Sequence, residues 1–266
     1  MISKEELHEI VESTLKHAIT NFFMDRKVRV EQPLDKIFPA ERRIRSLIGG
    51  LETSMGTTVW EPIAVAIAKK NDFQELNTRD FLMVELPRDI ITINTKWRDA
   101  REHGDGNIVL DNYILEVRNA ANMVDVANLG LSRPTAGKGV DLWLKKDGTE
   151  YIFDIKTTQW NSGSGIAHNA TLMNWYAWRL VRDPYIGFEA RYALPFNPYT
   201  GMNWWDKNGS RARPLVRGQD LWVEDEFWDF LSGIKGTYSH ILKVFTELGG
   251  TRFGDQFHDI FYGNSS

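Results

Sequence analysis

Cysteine is absent from all 266 residues of the sequence. Disulfides, thiolate metal sites and a cysteine nucleophile are therefore excluded. Long apolar runs are absent too, since none approaches the roughly 18 residues of a membrane-spanning helix. The acidic, polar start Met1–Glu9 is unlike a secretory signal, and no glycine-rich loop suggests a nucleotide cofactor. We therefore expect a soluble, intracellular globular protein.

An overall excess of positive charge is also missing, because 32 Lys and Arg stand against 36 Asp and Glu, for a net charge of −4. Proteins that hold nucleic acid by bulk charge are basic. Any nucleic-acid surface must therefore be a local patch. Two basic clusters are candidates, one formed by Arg42, Arg43 and Arg45, the other by Lys207, Arg211, Arg213 and Arg217 in a predicted loop.

Hydrophobic periodicity predicts helices separated by a short region of strands. Helices are expected near residues 3–23, from 39, and over 57–69, 89–101, 112–124, 168–182 and 227–248, with a break at 233–236. Alternation predicts strands over 139–156 and 185–194. This pattern indicates a mixed α/β fold. We expect one domain over 1–266, with a helical extension (1–38), a catalytic core (39–200) and a loop plus C-terminal helices (201–266).

The segment 139–156 has the pattern of a β-hairpin. Asp147 and Gly148 form a strong two-residue turn signal between two alternating runs. With that turn, Lys145 faces Glu150, an opposite-charge pair that supports the register. One face is then apolar and suited to a core, and it consists of Val140, Leu142, Leu144, Tyr151, Phe153 and Ile155.

The other face of this hairpin carries the candidate active site. The register places Asp141 opposite Asp154, with Cβ atoms about 5 Å apart, and Lys156 lies on the same face as Asp154. Like charges at this distance are tolerable if a cation lies between them, and the carbonyl of Ile155 could add a third ligand for Mg²⁺. Lys156 could hold an attacking water, so the pattern favours phosphodiester hydrolysis. A surface hairpin with a salt bridge is the structural alternative.

These residues resemble the PD-(D/E)xK motif of type II restriction endonucleases. Asp141 matches the first acid, Asp154 the second and Lys156 the lysine, while Val140 replaces the proline of the motif. Further islands resemble the TdeIII family, although Trp160 replaces an expected proline, so we expect a different local loop. The islands are Arg45–Glu61, Phe153–Asn161, Asn174–Arg179, Pro195–Tyr199 and Glu226–Gly233.

The resemblance implies a three-layer α/β/α core with a mixed central sheet and added helices. It also implies Mg²⁺-dependent cleavage of double-stranded DNA that leaves 5′-phosphates, at a short site of the GGNCC type. A homodimer, a cognate DNA methyltransferase and a prokaryotic cytoplasmic location are further expectations. Two alternatives stay open, a repair or structure-specific nuclease of the same superfamily and a non-catalytic DNA-binding module.

Several residues outside the hairpin are weaker candidates for the site. Glu61 begins an amphipathic helix and could supply a further acid to the site. Alternatively, its carboxylate only interacts favourably with the helix dipole. Glu116 is a second candidate for this acid, but it also fits a solvated position on a helix. Lys138 could contact the scissile phosphate, and Gln159 and Asn161 could touch DNA, although all three could be merely solvated.

The basic clusters suggest two kinds of DNA contact. Arginines of the second cluster could pair with guanine, and those of the first could contact phosphates. A flexible solvated loop is the alternative for the second cluster. Trp175 and Trp178 are expected in the core, and no role is assigned to any histidine.

Overall fold

The computed structural model describes residues 2–24, 33–104, 108–157, 160–199 and 201–263. The chain forms two compact units, one of Met1–Asn71 with Trp228–Ser266 and the other of Asp72–Phe227. The division of a single domain at residues 38 and 200 stays a prediction. In the described ranges no helix is both long enough and apolar enough to cross a membrane.

The described helices extend over most of the chain. They are α1 (Lys4–Met24), α2 (Pro39–Met55), α3 (Glu61–Lys70), α4 (Arg88–His103), α5 (Asp111–Ala121), α6 (Ser164–Arg182), α7 (Trp204–Ala212), α8 (Asp225–Ser232), α9 (Thr237–Gly250) and α10 (His258–Tyr262). Short 3₁₀ turns cover Pro33–Lys36, Thr78–Asp80, Val126–Asn128 and Phe253–Phe257. The break between α8 and α9 confirms the predicted interruption at 233–236.

The first unit begins with a capping box. The backbone N–H of Ser3 donates to Glu6 Oε2 at 2.9 Å, and the N–H of Glu6 donates to Ser3 Oγ at 3.1 Å. The helix then buries Leu7, Val11 and Leu15 along one face, because a spacing of four residues returns to the same side.

The predicted helix over 57–69 is wrong in its first turn. Residues Gly56–Trp60 form a π-helical turn, and α3 starts only at Glu61, with Pro62 in its first turn. Trp60 is buried there, with ring centroids 6.0 Å from Trp228 and 5.7 Å from Phe245. Packing of this large side chain in the core is a tertiary constraint that periodicity does not show.

The second unit contains a mixed sheet. Its strands are β1 (Gln74–Glu75), β4 (Leu142–Lys146), β5 (Thr149–Ile155), β6 (Gly187–Leu194) and β7 (Leu221–Val223), in the order β1-β4-β5-β6-β7, while β2 (Met83–Val84) and β3 (Leu131–Ser132) pair separately. β1 pairs antiparallel with β4, and β4 pairs antiparallel with β5, whereas β5, β6 and β7 pair in parallel. This sheet confirms the α/β fold and its mixed topology.

Helix α6 connects the parallel strands β5 and β6, as such a crossover requires. It buries Leu172, Trp175 and Trp178 in the same core cluster as Ile152 and Tyr192 of the sheet. The prediction that both tryptophans belong to the core is confirmed.

The predicted loop over 203–218 is wrong in its first half. Trp204–Ala212 is helix α7, whose N-cap Asn203 accepts a hydrogen bond from the N–H of Trp205 at 2.8 Å. Trp204, Asn208 and Ala212 are buried at a spacing of four residues. This buried stripe outweighs the turn signal of the Asp-Lys-Asn-Gly sequence.

Candidate active site

The hairpin β4–β5 has the predicted turn and register. Asp147 and Gly148 both have positive φ angles, 49° and 79°, as a type I′ turn requires. Lys145 pairs with Glu150, and the ladder continues to Leu142 opposite Phe153. The local sequence therefore brings the two carboxylate-bearing segments to one end of the hairpin.

Asp141 leaves the regular ladder at this end. Its backbone N–H donates to the carbonyl of Phe153 at 2.9 Å, and its Oδ2 accepts from the N–H of Ile155 at 2.7 Å. The expected regular pair with Asp154 is therefore replaced by a side-chain bond to the neighbouring strand. This bond fixes the Asp141 carboxylate beside the end of β5.

Asp154 is buried, with 4% of its surface exposed, and its Oδ1 lies 2.5 Å from Lys156 Nζ. Burial raises the pKa of Asp154 to about 7; the charge of Lys156 opposes this rise, and the nearby Asp141 carboxylate adds to it. Asp141, Asp154 and Lys156 thus lie together, and the buried carboxyl holds a proton close to neutral pH.

Lys156 is fixed at both ends. Its backbone N–H donates to the carbonyl of Ala193 in β6 at 2.8 Å, and its Nζ lies 5.8 Å from the ring centroid of Tyr192. About a quarter of the side chain is exposed, 26%. The ammonium therefore lies between a buried carboxylate and solvent, where it can also donate to a water or a phosphate oxygen.

An aromatic group beneath Lys156 was missed in the sequence. The ring of His168, in α6, lies 4.5 Å from that of Tyr192 and 4.6 Å from that of Trp160. Burial, and then the charge of Lys156, lowers the pKa of His168 to about 4, so the imidazole is neutral at pH 7. Its position four residues before the buried Leu172, on the helix after the hairpin, was the available signal.

The donor atoms suit a hard cation. Two carboxylates and the backbone carbonyl of Ile155 are oxygen ligands of the kind that Mg²⁺ prefers. Over the ranges that the structure describes, no group of three or more His, Asp or Glu side chains could hold a metal. A cation at Asp141 and Asp154 would thus complete its shell with water or phosphate oxygens, and the residues present fit such an ion.

Comparison with known protein families decides the assignment. The family model of the type II restriction endonuclease HinfI matches residues 3–249 of the 266. The chain belongs to the HinfI family of type II restriction endonucleases. It is therefore a site-specific endonuclease, a hydrolase that acts on double-stranded DNA. Among curated proteins, none matches the sequence significantly.

The HinfI family assignment leaves two finer points as predictions. One is the closer likeness to the TdeIII family, and the other is the PD-(D/E)xK role of Asp141, Asp154 and Lys156. Both predictions depend on residues of this sequence alone. The contacts of Asp141, Asp154 and Lys156 are the basis for proposing the second.

The two further acids lie on helices. Glu61 begins α3 in the unit formed by the chain ends. Glu116, in α5 of the other unit, accepts from Lys96 Nζ at 2.8 Å and from Trp97 Nε1 at 3.0 Å. The hydrogen bond from Lys96 lowers the pKa of Glu116, so its negative charge already has a partner.

The residues that flank the hairpin and β5 have different surroundings. The side chain of Lys138 is exposed, while its carbonyl accepts from Trp175 Nε1 at 2.8 Å. Asn161 bonds twice to the side chain of Ser164, since its N–H donates to Ser164 Oγ and its Oδ1 accepts from that hydroxyl, both at 3.0 Å. Gln159 lies outside the described residues.

The first basic cluster is largely engaged within the protein. Arg42 Nε donates to Asp35 at 2.8 Å, and Arg43 Nε donates to the carbonyl of Ile260 at 2.6 Å. Arg45 is exposed. Of the three predicted phosphate contacts, Arg45 therefore has the most accessible surface.

The second basic cluster lies on and after α7. Lys207, Arg211, Arg213 and Arg217 are all exposed. Arg211 nevertheless has fixed contacts, because its Nη1 donates to the carbonyl of Trp160 at 3.2 Å and to Asn208 at 3.3 Å. Its guanidinium is thus held next to the segment that follows β5.

Proposed function

We propose that this HinfI-family enzyme cleaves both strands of a short DNA site in a Mg²⁺-dependent reaction centred on Asp141, Asp154 and Lys156. One observation carries the proposal: a buried carboxyl, its pKa raised to about 7, lies beside a second carboxylate and 2.5 Å from a lysine. Such a group is costly unless a cation compensates its charge. The carbonyl of Ile155 is proposed as the third protein ligand.

Each residue of the site has a definite task in this reaction. Asp141 and Asp154 would hold the cation, and Asp154 would lose its proton on binding. Lys156 donates to the attacking water or to a phosphate oxygen, and its ammonium stabilises the negative charge that develops on the phosphate. The bound Mg²⁺ would supply Lewis acidity and a lowered pKa for water.

Removal of single groups tests these tasks. We expect wild-type protein with Mg²⁺ to cut plasmid DNA into discrete fragments, and Asp154→Asn and Lys156→Ala to bind DNA but cut it at least about 100-fold more slowly. Lys145→Ala is the matched control, since it removes the same charge from the same hairpin away from the site. Lys156 has no role in the chemistry if both lysine variants cut at wild-type rates.

Other parts of the proposal concern recognition and assembly. We propose a GGNCC-type site, from the TdeIII likeness, read by a homodimer in which each protomer contacts one half-site. Sequencing of the fragment ends gives the site and the 5′-phosphates directly. A cognate methyltransferase that protects the same site would complete the system in a prokaryotic cytoplasm.

Further DNA contacts are proposed outside the centre. Lys138 is exposed just before the hairpin and can reach a phosphate, and Arg45 is the accessible member of the first basic cluster. That Glu61 acts as an additional acid stays a prediction from the sequence. Glu61→Gln should then slow cleavage without loss of DNA binding, whereas a purely structural carboxylate would lower the melting temperature instead.

A further inference from the structure

We propose that a cavity at the N-terminus of α6 binds a phosphate of the DNA backbone that is not the scissile phosphate. The cavity has a volume of about 490 Å³, and its lining includes Ser162, Gly163, Ser210, Arg211 and Arg213. That the phosphate belongs to DNA rests on the proposed function, whereas the anion site itself rests on this structure alone.

The helix end supplies one half of the site. α6 has 19 residues and no acid in its first turn. Its first intrahelical hydrogen bond runs from the N–H of Ala167 to the carbonyl of Gly163, at 3.1 Å. The amide of Ile166, a residue that lines the cavity, precedes that bond, so it and the positive end of the helix dipole are available to an anion.

Two arginines supply the other half. Within the described parts of the chain, neither Arg211 nor Arg213 forms an ion pair. Nη1 of Arg211 is anchored on Trp160 and Asn208, while its other N–H groups are not used in those bonds. An arginine whose side chain is already fixed loses less conformational entropy when it binds a ligand. This favours binding of a phosphate at this position.

Close backbone packing holds these two halves together. A Cβ atom built on Gly165 would overlap the carbonyl oxygens of Ala212 and Arg213. The first turn of α6 therefore touches the end of α7 with no side chain between them. The carbonyl of Pro214 also accepts from Arg101 Nη2 at 3.2 Å, which fixes the chain just after Arg213.

The charges that line the cavity leave an excess of positive charge. Arg101 forms a buried ion pair with Asp220. The only acid that lines the cavity in the described ranges is Glu102, whose Oε1 lies 3.9 Å from Arg98 Nε and accepts no hydrogen bond in those ranges. Arg211 and Arg213 outnumber this acid, so the cavity is positive and favours an anion.

The position of the cavity relates it to the catalytic centre. Arg211 donates to the carbonyl of Trp160, and the ring of Trp160 packs against His168 and Tyr192, over which Lys156 Nζ lies. A phosphate in the cavity would therefore position the strand that Lys156 acts on. Phosphate contacts position a protein without reading sequence, so Arg211 and Arg213 would not recognise bases.

Inorganic phosphate tests the cavity independently of cleavage. In full-length protein labelled with ¹⁵N-glycine, we expect millimolar phosphate to shift the amide signals of Gly163 and Gly165 in a saturable way. Arg213→Gln should lose these shifts, and Lys207→Gln, which removes a charge from α7 outside the cavity, should keep them. The proposal is overturned if wild-type shifts are absent or if both variants behave alike.

Duplex binding then tests the phosphate against base recognition. We expect Arg213→Gln to weaken binding equally for cleaved and unrelated duplexes, and to reduce the slope of log affinity against log salt by about one. A loss confined to the cleaved sequence would overturn the proposal in favour of base recognition. Phosphate shifts without any duplex binding by the wild type would instead contradict the proposed function and leave the anion site standing.

Discussion

Asp154 and His168 show how burial acts on single residues near Lys156. Burial penalises the charged form, so it raises the pKa of the carboxyl to about 7 and lowers that of the imidazole to about 4. Without a cation, both side chains are biased toward their neutral forms. Their effects on stability therefore have opposite signs as pH changes.

The pH dependence of unfolding tests the environment of Asp154. Its folded-state pKa, about 7, exceeds the ordinary 3.8, so its contribution to stability is full below that ordinary value and is lost as pH rises through 7. We expect wild type to lose stability relative to Asp154→Asn over this range, measured by urea denaturation in the presence of a chelator.

The stability of the wild type must be compared with that of Asp154→Asn, because the titration of His168 changes stability with pH in the opposite direction. Its depressed pKa adds stability that is present above the ordinary 6.5 and is lost as pH falls through about 4. The two contributions offset each other in the wild type. If the difference between wild type and Asp154→Asn is independent of pH, the carboxyl titrates normally and is not buried as described.

At the scale of elements, the contact between α6 and α7 depends on one glycine. Gly165→Ala forces a methyl group against two backbone carbonyls, and such overpacking costs about 1–3 kcal/mol. We expect a lower free energy of unfolding and, since the cavity shares this contact, weaker phosphate binding. Both can be measured on the same protein, by urea denaturation and by titration.

Gly49→Ala is the matched control for that substitution. Gly49 lies in the middle of α2, and a Cβ there meets no atom within 4 Å. Alanine should therefore stabilise the protein by up to about 1 kcal/mol through helix propensity. Equal effects of the two substitutions would show that α6 and α7 do not touch as described.

Elements with a local cause were predictable from the sequence. The β4–β5 hairpin follows from its Asp147–Gly148 turn and alternating residues, and α1 follows from its capping box. The departure of Asp141 from the ladder depends on a side-chain bond to Ile155, and the α7 helix depends on burial of Trp204. Such tertiary contacts leave no local pattern.

The residues of the candidate site also divide into local and non-local ones. Asp141, Asp154 and Lys156 lie within one hairpin and the end of its strand, so counting cross-strand pairs from the turn could place them together. His168 and Tyr192 come from α6 and β6 and meet Lys156 only because β6 pairs with β5 in parallel. That pairing is not local in sequence, so no histidine was assigned.

For the whole molecule, a metal that binds Asp154 must displace its proton, so binding and global stability are linked to pH. We expect Mg²⁺ to raise the melting temperature more at about pH 8 than at about pH 6, on either side of the pKa near 7. Asp154→Asn should lose both the rise and its pH dependence. Stabilisation that is equal at both pH values would place the metal elsewhere.

The two compact units have a consequence for synthesis. Asp141, Asp154 and Lys156 all lie within 72–227, whereas the other unit joins 1–71 to 228–266. Because a ribosome releases the chain from its N-terminus, the hairpin with its acids emerges in full while the first 71 residues still await their C-terminal partners. The first unit is therefore completed only after residues 228–266 have been translated, and a chain terminated before residue 228 carries the carboxylates without a closed helical unit.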